Sequence, residues 1–562
     1  AIGYTAMGAQ TTASNNVAVG NQALQTNQTG TELVAVGHEA LKANLGDACV
    51  AVGFQALLAN TTGASNIAIG STALAANTTG SRNIGIGSNA NDSSDTENDN
   101  IAIGYNAMTT DSAGGLQNLA IGNYALQALT SGDGNMALGH NAGYTVTTGS
   151  RNVGLGLSSL ETNNADDNTA VGYNAMNATT TGADNVAVGR DALVANTTGT
   201  RNVAVGKDAL KTSTTTGSNT AIGDNALKLS SSGTYLTAVG AGALDTNTTG
   251  AFNTAVGAVS MDANTTGSYN TALGAAALDA NTDSDNNTAL GAYALSDNST
   301  GSENTAVGME ALKGNTTAED NTAIGFSALK ANTTAENNVA VGARAMEANT
   351  TGASNMAIGS RALEANTTGA RNMGIGHEAY KNSDTENDNL AIGYYAMRTN
   401  TAGGTQNVAV GNYAGDAITS GDYNTAVGYN AGSTIRSGNG NNCFGNLAGS
   451  AVLDGSNNVC IGEGAGAGIT NGDNNMCIGN QSGNNDRALT TGAQNIIIGY
   501  GADTSTATIT HEIAIGHDVT GNGANTVVFG NGANDSAIAF GGTSVSAPSD
   551  IRLKENISDT TA

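Results

Sequence analysis

Three cysteines stand at a spacing that could build a thiol site. Cys443, Cys460 and Cys477 recur at every seventeenth position, and each lies two positions before a glycine. Stacked thiolates are ligands for soft metal ions, but a zinc site is built from closely spaced ligand pairs, and none occurs here. A free cysteine also packs as a small apolar residue. The pattern favours small core residues, with a stacked thiol or metal site as the alternative.

Acidic residues cluster in two copies of one segment. "SDTENDN" begins at Ser94 and again at Ser383. Carboxylate oxygens are the ligands that Ca²⁺ prefers, so the segment is a candidate calcium site. A solvated loop is the alternative, and no other cofactor is indicated. The candidate ligands are Asp92, Asp95, Glu97, Asp99, Asp384, Glu386 and Asp388.

The charge balance limits the partners of the chain. Forty-six acidic residues against 19 Lys and Arg give a net charge of −27. Nucleic acids and anionic membrane surfaces require clustered basic residues, so neither is an expected partner. No stretch approaches the roughly 20 apolar residues of a membrane span, and no membrane insertion is expected within this chain. Sugars, proteins and cations remain as partner classes.

An internal repeat organises most of the sequence. The glycine that closes "AVG" or "AIG" recurs from Gly3 to Gly479 in 28 intervals, with a mean spacing of seventeen positions. A longer echo returns after seventeen such units. Repeats of this length are typical of solenoids. Four of the five histidines directly follow the repeated glycine, a variable position that we expect to face solvent: His38, His140, His377 and His517.

The columns of the repeat predict the structure of one unit. The residue before the glycine is always apolar, the residue two before is Ala, Gly or Cys, and the residue four before is almost always Asn. This period of two predicts a strand. A second apolar step, usually "AL", predicts a second strand, and "NTTG" predicts a tight turn. The sequence therefore predicts an all-β parallel β-solenoid of 17-residue coils, with Asn side chains in a hydrogen-bonded ladder.

The short repeat makes each coil thin, which bears on its assembly. We expect the Val, Ile and Leu column to lie between two sheets, and the Ala, Gly and Cys column to form a flat exposed face. Three such faces meeting on an axis would bury one another. The sequence thus predicts a homotrimer, intertwined or side by side, with a self-sufficient monomeric solenoid as the alternative.

Residues 1–485 resemble a known repeat. The unit "NVAVG" followed by "xxAL" resembles the head repeats of trimeric autotransporter adhesins, and similar repeats occur in phage tail fibres. The resemblance implies a left-handed parallel β-roll in a trimer. The adhesin repeat is usually a few residues shorter than the one here.

The C-terminal segment carries a second resemblance. After the only proline, Pro548, the sequence "SDIRLKENI" is similar to the start of the intramolecular chaperone of endosialidases and other phage tail spikes and fibres. In that family the module assists trimerisation and then cuts itself off with a Ser-Lys dyad. The resemblance places this catalytic dyad at Ser549 and Lys554, where a buried Lys would act as the base for a Ser nucleophile. A generic capping tail is the alternative.

Three segments and three functions follow. Residues 1–485 are the predicted shaft, residues 486–548 an irregular β cap or neck, and residues 549–562 the start of the self-cleaving chaperone. The expected function is the trimeric shaft of a virion tail fibre or spike, joined to virion attachment proteins and directed to a host cell-surface glycan or protein receptor. A bacterial surface adhesin is the alternative. A polysaccharide depolymerase is disfavoured because a uniform thin solenoid offers no cleft for paired carboxylates.

Overall fold

The computed structural model describes residues 1–110, 114–533, 535–539 and 545–546. Two compact units divide the chain at Asn286 and Asn287. The described residues form strands and turns without a helix. Each unit is a parallel β-solenoid in which residues seventeen positions apart stack on one another, as Ala187 does on Ala204. The predicted fold class is confirmed.

The strands are short and come once in each coil. In the first unit they are β1 Val17–Val19, β2 Val34–Val36, β3 Val50–Val52, β4 Ile67–Ile69, β5 Ile84–Ile86, β6 Ile101–Ile103, β7 Leu119–Ile121, β8 Met136–Leu138, β9 Val153–Leu155, β10 Thr169–Val171, β11 Val186–Val188, β12 Val203–Val205, β13 Thr220–Ile222, β14 Thr237–Val239, β15 Thr254–Val256 and β16 Thr271–Leu273.

The second unit continues the same pattern and ends in longer strands. They are β17 Thr288–Leu290, β18 Thr305–Val307, β19 Thr322–Ile324, β20 Val339–Val341, β21 Met356–Ile358, β22 Met373–Ile375, β23 Leu390–Ile392, β24 Val408–Val410, β25 Thr425–Val427, β26 Asn442–Phe444, β27 Val459–Ile461, β28 Met476–Ile478, β29 Ile496–Ile498, β30 Ile513–Gly516, β31 Thr526–Gly530, β32 Ser536–Ala539 and β33 Val545–Ser546.

Equivalent residues of neighbouring coils lie directly opposite one another. Strand β11 pairs in parallel with β12, with Val186 opposite Val203. The repeated glycine after each strand is required by this stacking. At Gly172 the φ angle is +135°, and a Cβ would lie 2.6 Å from the carbonyl oxygen of Gly189 in the next coil. A side chain there would be strained and would collide with the neighbouring backbone.

The small residue of each strand points into the coil. Ala187 is fully buried, whereas its neighbours Val186 and Val188 are only half-buried. The prediction that the Ala, Gly and Cys column forms an exposed face is therefore wrong, as is the prediction that the large column is enclosed. The interior of a single coil is too narrow for two large residues on one level. Alanine faces inward because Leu side chains, such as Leu193, fill the remaining space.

The second strand predicted for each coil does not form, and turns take its place. The residues that follow the repeated glycine form turns, with left-handed backbone at alternate positions such as Asp191 (φ 56°) and Leu193 (φ 51°). This conformation costs an ordinary residue about 1–2 kcal/mol. Complete burial of Leu193 and the hydrogen bond from its N–H to the carbonyl oxygen of Ala209 (3.0 Å) offset that cost.

Two asparagine ladders run through the coils. In the first ladder, formed by the Asn four residues before the repeated glycine, the N–H of Asn185 donates to Oδ1 of Asn168 (3.0 Å), and Nδ2 of Asn185 donates to the carbonyl oxygen of Gly199 (2.9 Å). In the second, formed by the Asn seven residues after that glycine, Nδ2 of Asn332 donates to Oδ1 of Asn315 (2.9 Å). The predicted Asn ladder is confirmed, and the second ladder shows that the Asn of "NTTG" is a buried core residue too.

The parallel stack changes direction near its C-terminal end. Strand β31 pairs in parallel with β30, but β32 pairs antiparallel with β31, and β33 antiparallel with β32. A hairpin thus covers the last parallel strand, whose free edge would otherwise be a template for pairing with another chain. Buried Glu512 replaces the Asn of the first ladder here and accepts hydrogen bonds from the N–H groups of Ser505 (2.8 Å) and Gly523 (2.7 Å).

Candidate interaction surface

The predicted catalytic dyad has no structural description. Ser549 and Lys554 both lie outside the described residues. The Ser-Lys assignment therefore stays a prediction that depends on the resemblance.

The three cysteines are stacked in the core of the second unit. Cys443, Cys460 and Cys477 occupy the inward position of β26, β27 and β28, where they are fully buried with free thiols. Hydrogen bonding to the thiol of Cys443, together with burial, raises the pKa of Cys460, and burial raises the pKa of Cys477 to about 12. Neutral, enclosed thiols are poor metal ligands. The prediction of small core residues is confirmed.

The acidic segments do not gather their carboxylates. Asp388 is paired with Arg371, whose Nε and Nη2 lie 2.7 and 2.9 Å from its oxygens, and hydrogen bonding to Arg371 lowers the pKa of Asp388. Buried Glu386 accepts hydrogen bonds from the N–H groups of Asp384 (2.7 Å) and Thr385 (3.0 Å). These contacts occupy the carboxylates that the calcium interpretation would need.

The first copy of this segment has the same arrangement. Asp99 is paired with Arg82, and buried Glu97 accepts hydrogen bonds from the N–H groups of Asp95 (2.7 Å) and Thr96 (2.9 Å). Burial raises the pKa of Asp92, which stands apart from them. Across the described part of the chain, no group of three His, Cys, Asp or Glu side chains is arranged to hold a metal ion.

The strands leave an apolar face uncovered. We define the outer strand face as the side chains one and three residues before each repeated glycine. They alternate with the buried Ala and are half-buried or exposed, as at Ile69 (40% exposed), Leu273 (48%) and Ile324 (40%). Isolated exposed apolar residues are ordinary, but a contiguous row is the mark of an interaction surface.

Exposed aromatic rings form two further groups at the corner that follows the strand. The first aromatic cluster contains Tyr105, Tyr124, His140 and Tyr144. The second aromatic cluster contains His377, Tyr394, Tyr395, Tyr413 and Tyr429. The histidines predicted to face solvent are exposed, but their stacking and edge contacts with tyrosines were not predicted. The recurrence of Tyr directly after the repeated glycine, in both copies of the duplicated segment, was the available signal.

The second aromatic cluster is tightly packed. The rings of Tyr394 and Tyr395 stack with their centroids 3.9 Å apart, and the ring of Tyr413 meets that of Tyr394 edge-on at 5.5 Å. Hydrogen bonding to Tyr395 raises the pKa of Tyr394 to about 12, so the Tyr394 phenol is neutral at physiological pH. The guanidinium of Arg398 lies 4.4 Å from the ring centroid of Tyr395. The cluster thus presents neutral hydroxyl groups beside apolar ring surface.

Comparison with known protein families and curated sequences yields no match. No protein-family model matches this chain, and no curated protein sequence matches it. A search of the described residues for a helix long and apolar enough to cross a membrane also finds none.

Proposed function

We propose that this chain is the shaft of an elongated homotrimeric fibre, a virion tail fibre or spike that attaches to the host cell surface. The outer strand face is the observation that carries the proposal. Each coil presents an outward apolar residue directly before the repeated glycine, beside an apolar residue, Thr or Asn three positions before that glycine, so each adds one more increment of the same kind of surface. Such a surface suits association along its whole length.

The magnitudes support association of several copies. Full burial of a Val, Leu or Ile side chain contributes about 1.5–3 kcal/mol, so covering the exposed part of Ile69 or Ile324 would contribute about 1 kcal/mol each. All sixteen strands of the first unit have an apolar residue directly before the repeated glycine, and eleven also have one three positions before it, where the other five have Thr. Covering these side chains exceeds the association cost of about 4–15 kcal/mol. Closed symmetry then limits growth of the assembly, and the resemblance to trimeric adhesin heads gives the number three.

Maturation is part of the proposal. If the gene continues into the chaperone that "SDIRLKENI" resembles, the module assists trimerisation, and Ser549 with Lys554 then releases it. Loss of that module removes the means of reassembly, so the released fibre is kept folded by slow unfolding rather than by equilibrium. Virion attachment proteins at one end and a host receptor at the other are the proposed partners.

The assembly state tests the proposal directly. Sedimentation equilibrium of the full chain is expected to give three times the chain mass of 55.3 kDa. Ile222→Asp in β13 places a charge on the outer strand face and is expected to shift the equilibrium from trimer towards monomer, because an unpaired charge cannot be buried at an interface without a large penalty. Ala241→Asp, at an exposed corner outside this face, is the matched control. A monomeric wild-type chain, or a trimer that survives Ile222→Asp, contradicts the proposal.

A further inference from the structure

The two aromatic clusters occupy equivalent positions in the two copies of a duplicated segment. With the shift of seventeen units between the copies, Tyr105 corresponds to Tyr394 and Tyr124 to Tyr413. The third ring is a histidine in one copy and a tyrosine in the other, at positions that also correspond: His140 and Tyr429. The chain therefore carries one surface feature twice.

The three corresponding rings make the same contacts in both copies, whereas the contacts of Tyr144 and Tyr395 occur in one copy each. Tyr105 meets Tyr124 edge-on, with ring centroids 5.4 Å apart at 89°, as Tyr394 meets Tyr413 at 5.5 Å and 76°. The third ring again packs edge-on, at 5.7 Å in the first cluster and 6.0 Å in the second. The backbone supports each cluster in the same way. The N–H groups of Tyr105 and Tyr394 donate to Asn Oδ1 atoms of the next coil, at 3.0 and 2.9 Å: those of Asn123 and Asn412.

Packing of the core does not explain why the rings recur. Between the same two copies, buried Leu126 becomes Gly415, and buried Asn91 becomes Tyr380. The interior has thus diverged at these positions, while an aromatic or imidazole ring is kept at all three corresponding surface positions. Contacts between the rings stabilise the corner by about 0.5–1.5 kcal/mol for each pair, but they do not require ring surface to stay exposed, so its recurrence at the surface points to a partner.

The chemistry of the clusters limits the class of partner. Tyr105, Tyr394 and Tyr429 are 46%, 38% and 52% exposed and offer apolar ring surface with hydroxyl groups at its edge. A sugar ring is complementary to this surface, because its C–H face packs on an aromatic face while its hydroxyl groups exchange hydrogen bonds with phenol, imidazole and amide groups. The net charge of −27 opposes anionic ligands.

We propose that each aromatic cluster is a binding site for a neutral glycan. The inference rests on the proposed function, and it specifies neutral glycans as the class of receptor that the side of the shaft binds. A small open site binds one sugar segment weakly, but two clusters in each chain, multiplied by the copies in an assembly, bind a polysaccharide with avidity.

Affinity electrophoresis of the full chain tests the proposal. Native gels are cast with neutral polysaccharides (dextran, galactomannan, arabinogalactan) or with acidic ones (alginate, polygalacturonate). Retardation is expected in at least one neutral gel and in neither acidic gel. The quadruple Ala variant of Tyr105, Tyr124, Tyr394 and Tyr413 is expected to lose roughly tenfold or more in apparent affinity. The corresponding quadruple Phe variant keeps the ring faces and is expected to retain most of the retardation.

A matched control comes from aromatic residues outside the clusters. Tyr235 and Tyr269 are 58% and 59% exposed and stack on opposite sides of Phe252. Their double Ala variant removes exposed rings of the same type and is expected to bind like the wild type. Three results would each overturn the proposal: no retardation in any neutral gel, retardation only in acidic gels, or equal retardation of the wild type and the quadruple Ala variant. Sedimentation of the same samples separates the two proposals: a trimer without glycan binding refutes only the sites, and a monomer that binds refutes only the fibre.

Discussion

Substitution of Gly466 by Ala should reveal how the cysteine coils are packed. At Gly466 the backbone is left-handed (φ 59°), and a Cβ would lie 2.5 Å from Sγ of Cys460 and 3.0 Å from Cδ1 of Ile469. The left-handed conformation costs an Ala about 1–2 kcal/mol, and overpacking a well-filled core adds about 1–3 kcal/mol. We therefore expect Gly466→Ala to lower the free energy of unfolding by about 2–5 kcal/mol.

A double-mutant cycle separates the two contributions. Cys460→Ala removes the sulfur, so Gly466→Ala in that background should cost only the left-handed backbone and the remaining contact with Ile469, with a coupling of about 1–2 kcal/mol. Gly432→Ala is the matched control, because Gly432 has the same backbone (φ 53°) and also faces an Ile Cδ1 (Ile435, 2.8 Å), but Cβ of Ala426 at 3.4 Å stands in place of the thiol. Urea unfolding followed by circular dichroism measures all four variants. Additive effects of Gly466→Ala and Cys460→Ala would refute the proposed packing of the thiol against the glycine.

Three further predictions concern the core, the pH response and maturation. Ala255→Leu should lower the free energy of unfolding by about 1–3 kcal/mol, because Ala255 is fully buried inside its coil, whereas Ala241→Leu at an exposed corner should be neutral in the same thermal melts. Burial raises the pKa of Asp245 and Asp262 above the ordinary 3.8. As the pH falls, these carboxylates therefore bind protons in the folded state before they do in the unfolded state, so the free energy of unfolding increases as the pH falls through the raised pKa values. Asp245→Asn should accordingly raise the melting temperature at pH 7, by an amount that shrinks towards pH 4. In the complete gene, mass spectrometry should find wild-type chains cut at Ser549 and Ser549→Ala chains intact, and the opposite result would remove the basis for the dyad.

The sequence was sufficient to predict the repeat, but it did not predict which side chains fill the interior of each coil. Register, parallel pairing and the Asn ladder follow from the spacing, since residues one repeat apart must stack when each coil has that length. Which side chains point inward does not follow from the spacing, because the alternation of large and small residues is the same whichever face of the strand is buried. Leu193 shows the second difficulty: left-handed backbone at a Leu contradicts its ordinary preference, so "AL" was interpreted as a strand. Contacts between neighbouring coils impose the left-handed conformation, and these contacts cannot be deduced from the amino-acid composition.

The core varies by paired substitutions rather than by single ones. Most coils have a Leu four residues after the repeated glycine and an Asn seven residues after it, as at Leu363 and Asn366. In several coils the Leu is Gly and the Asn is a β-branched residue, as at Gly432 and Ile435, whose Cδ1 would lie 2.8 Å from a Cβ at the glycine. The volume lost at one position is regained at the other, which keeps the core filled. The three stacked cysteines occur in coils with this Gly, since that glycine leaves room for Sγ.

The ladders also explain where the repeat tolerates an extra residue. The interval from Gly393 to Gly411 is one residue longer than the usual repeat, yet the N–H of Asn407 still donates to Oδ1 of Asn389 (2.9 Å). The surplus is taken up at Gly403, which is exposed, has a left-handed φ of 101° and has no neighbour within 4 Å of a Cβ position. A slip of one residue in the strand would instead turn its buried Ala to the outside and break the first ladder in that coil. Because each coil is bonded to the next by side chains as well as backbone, additions are confined to the exposed corners, where they leave the stack in register.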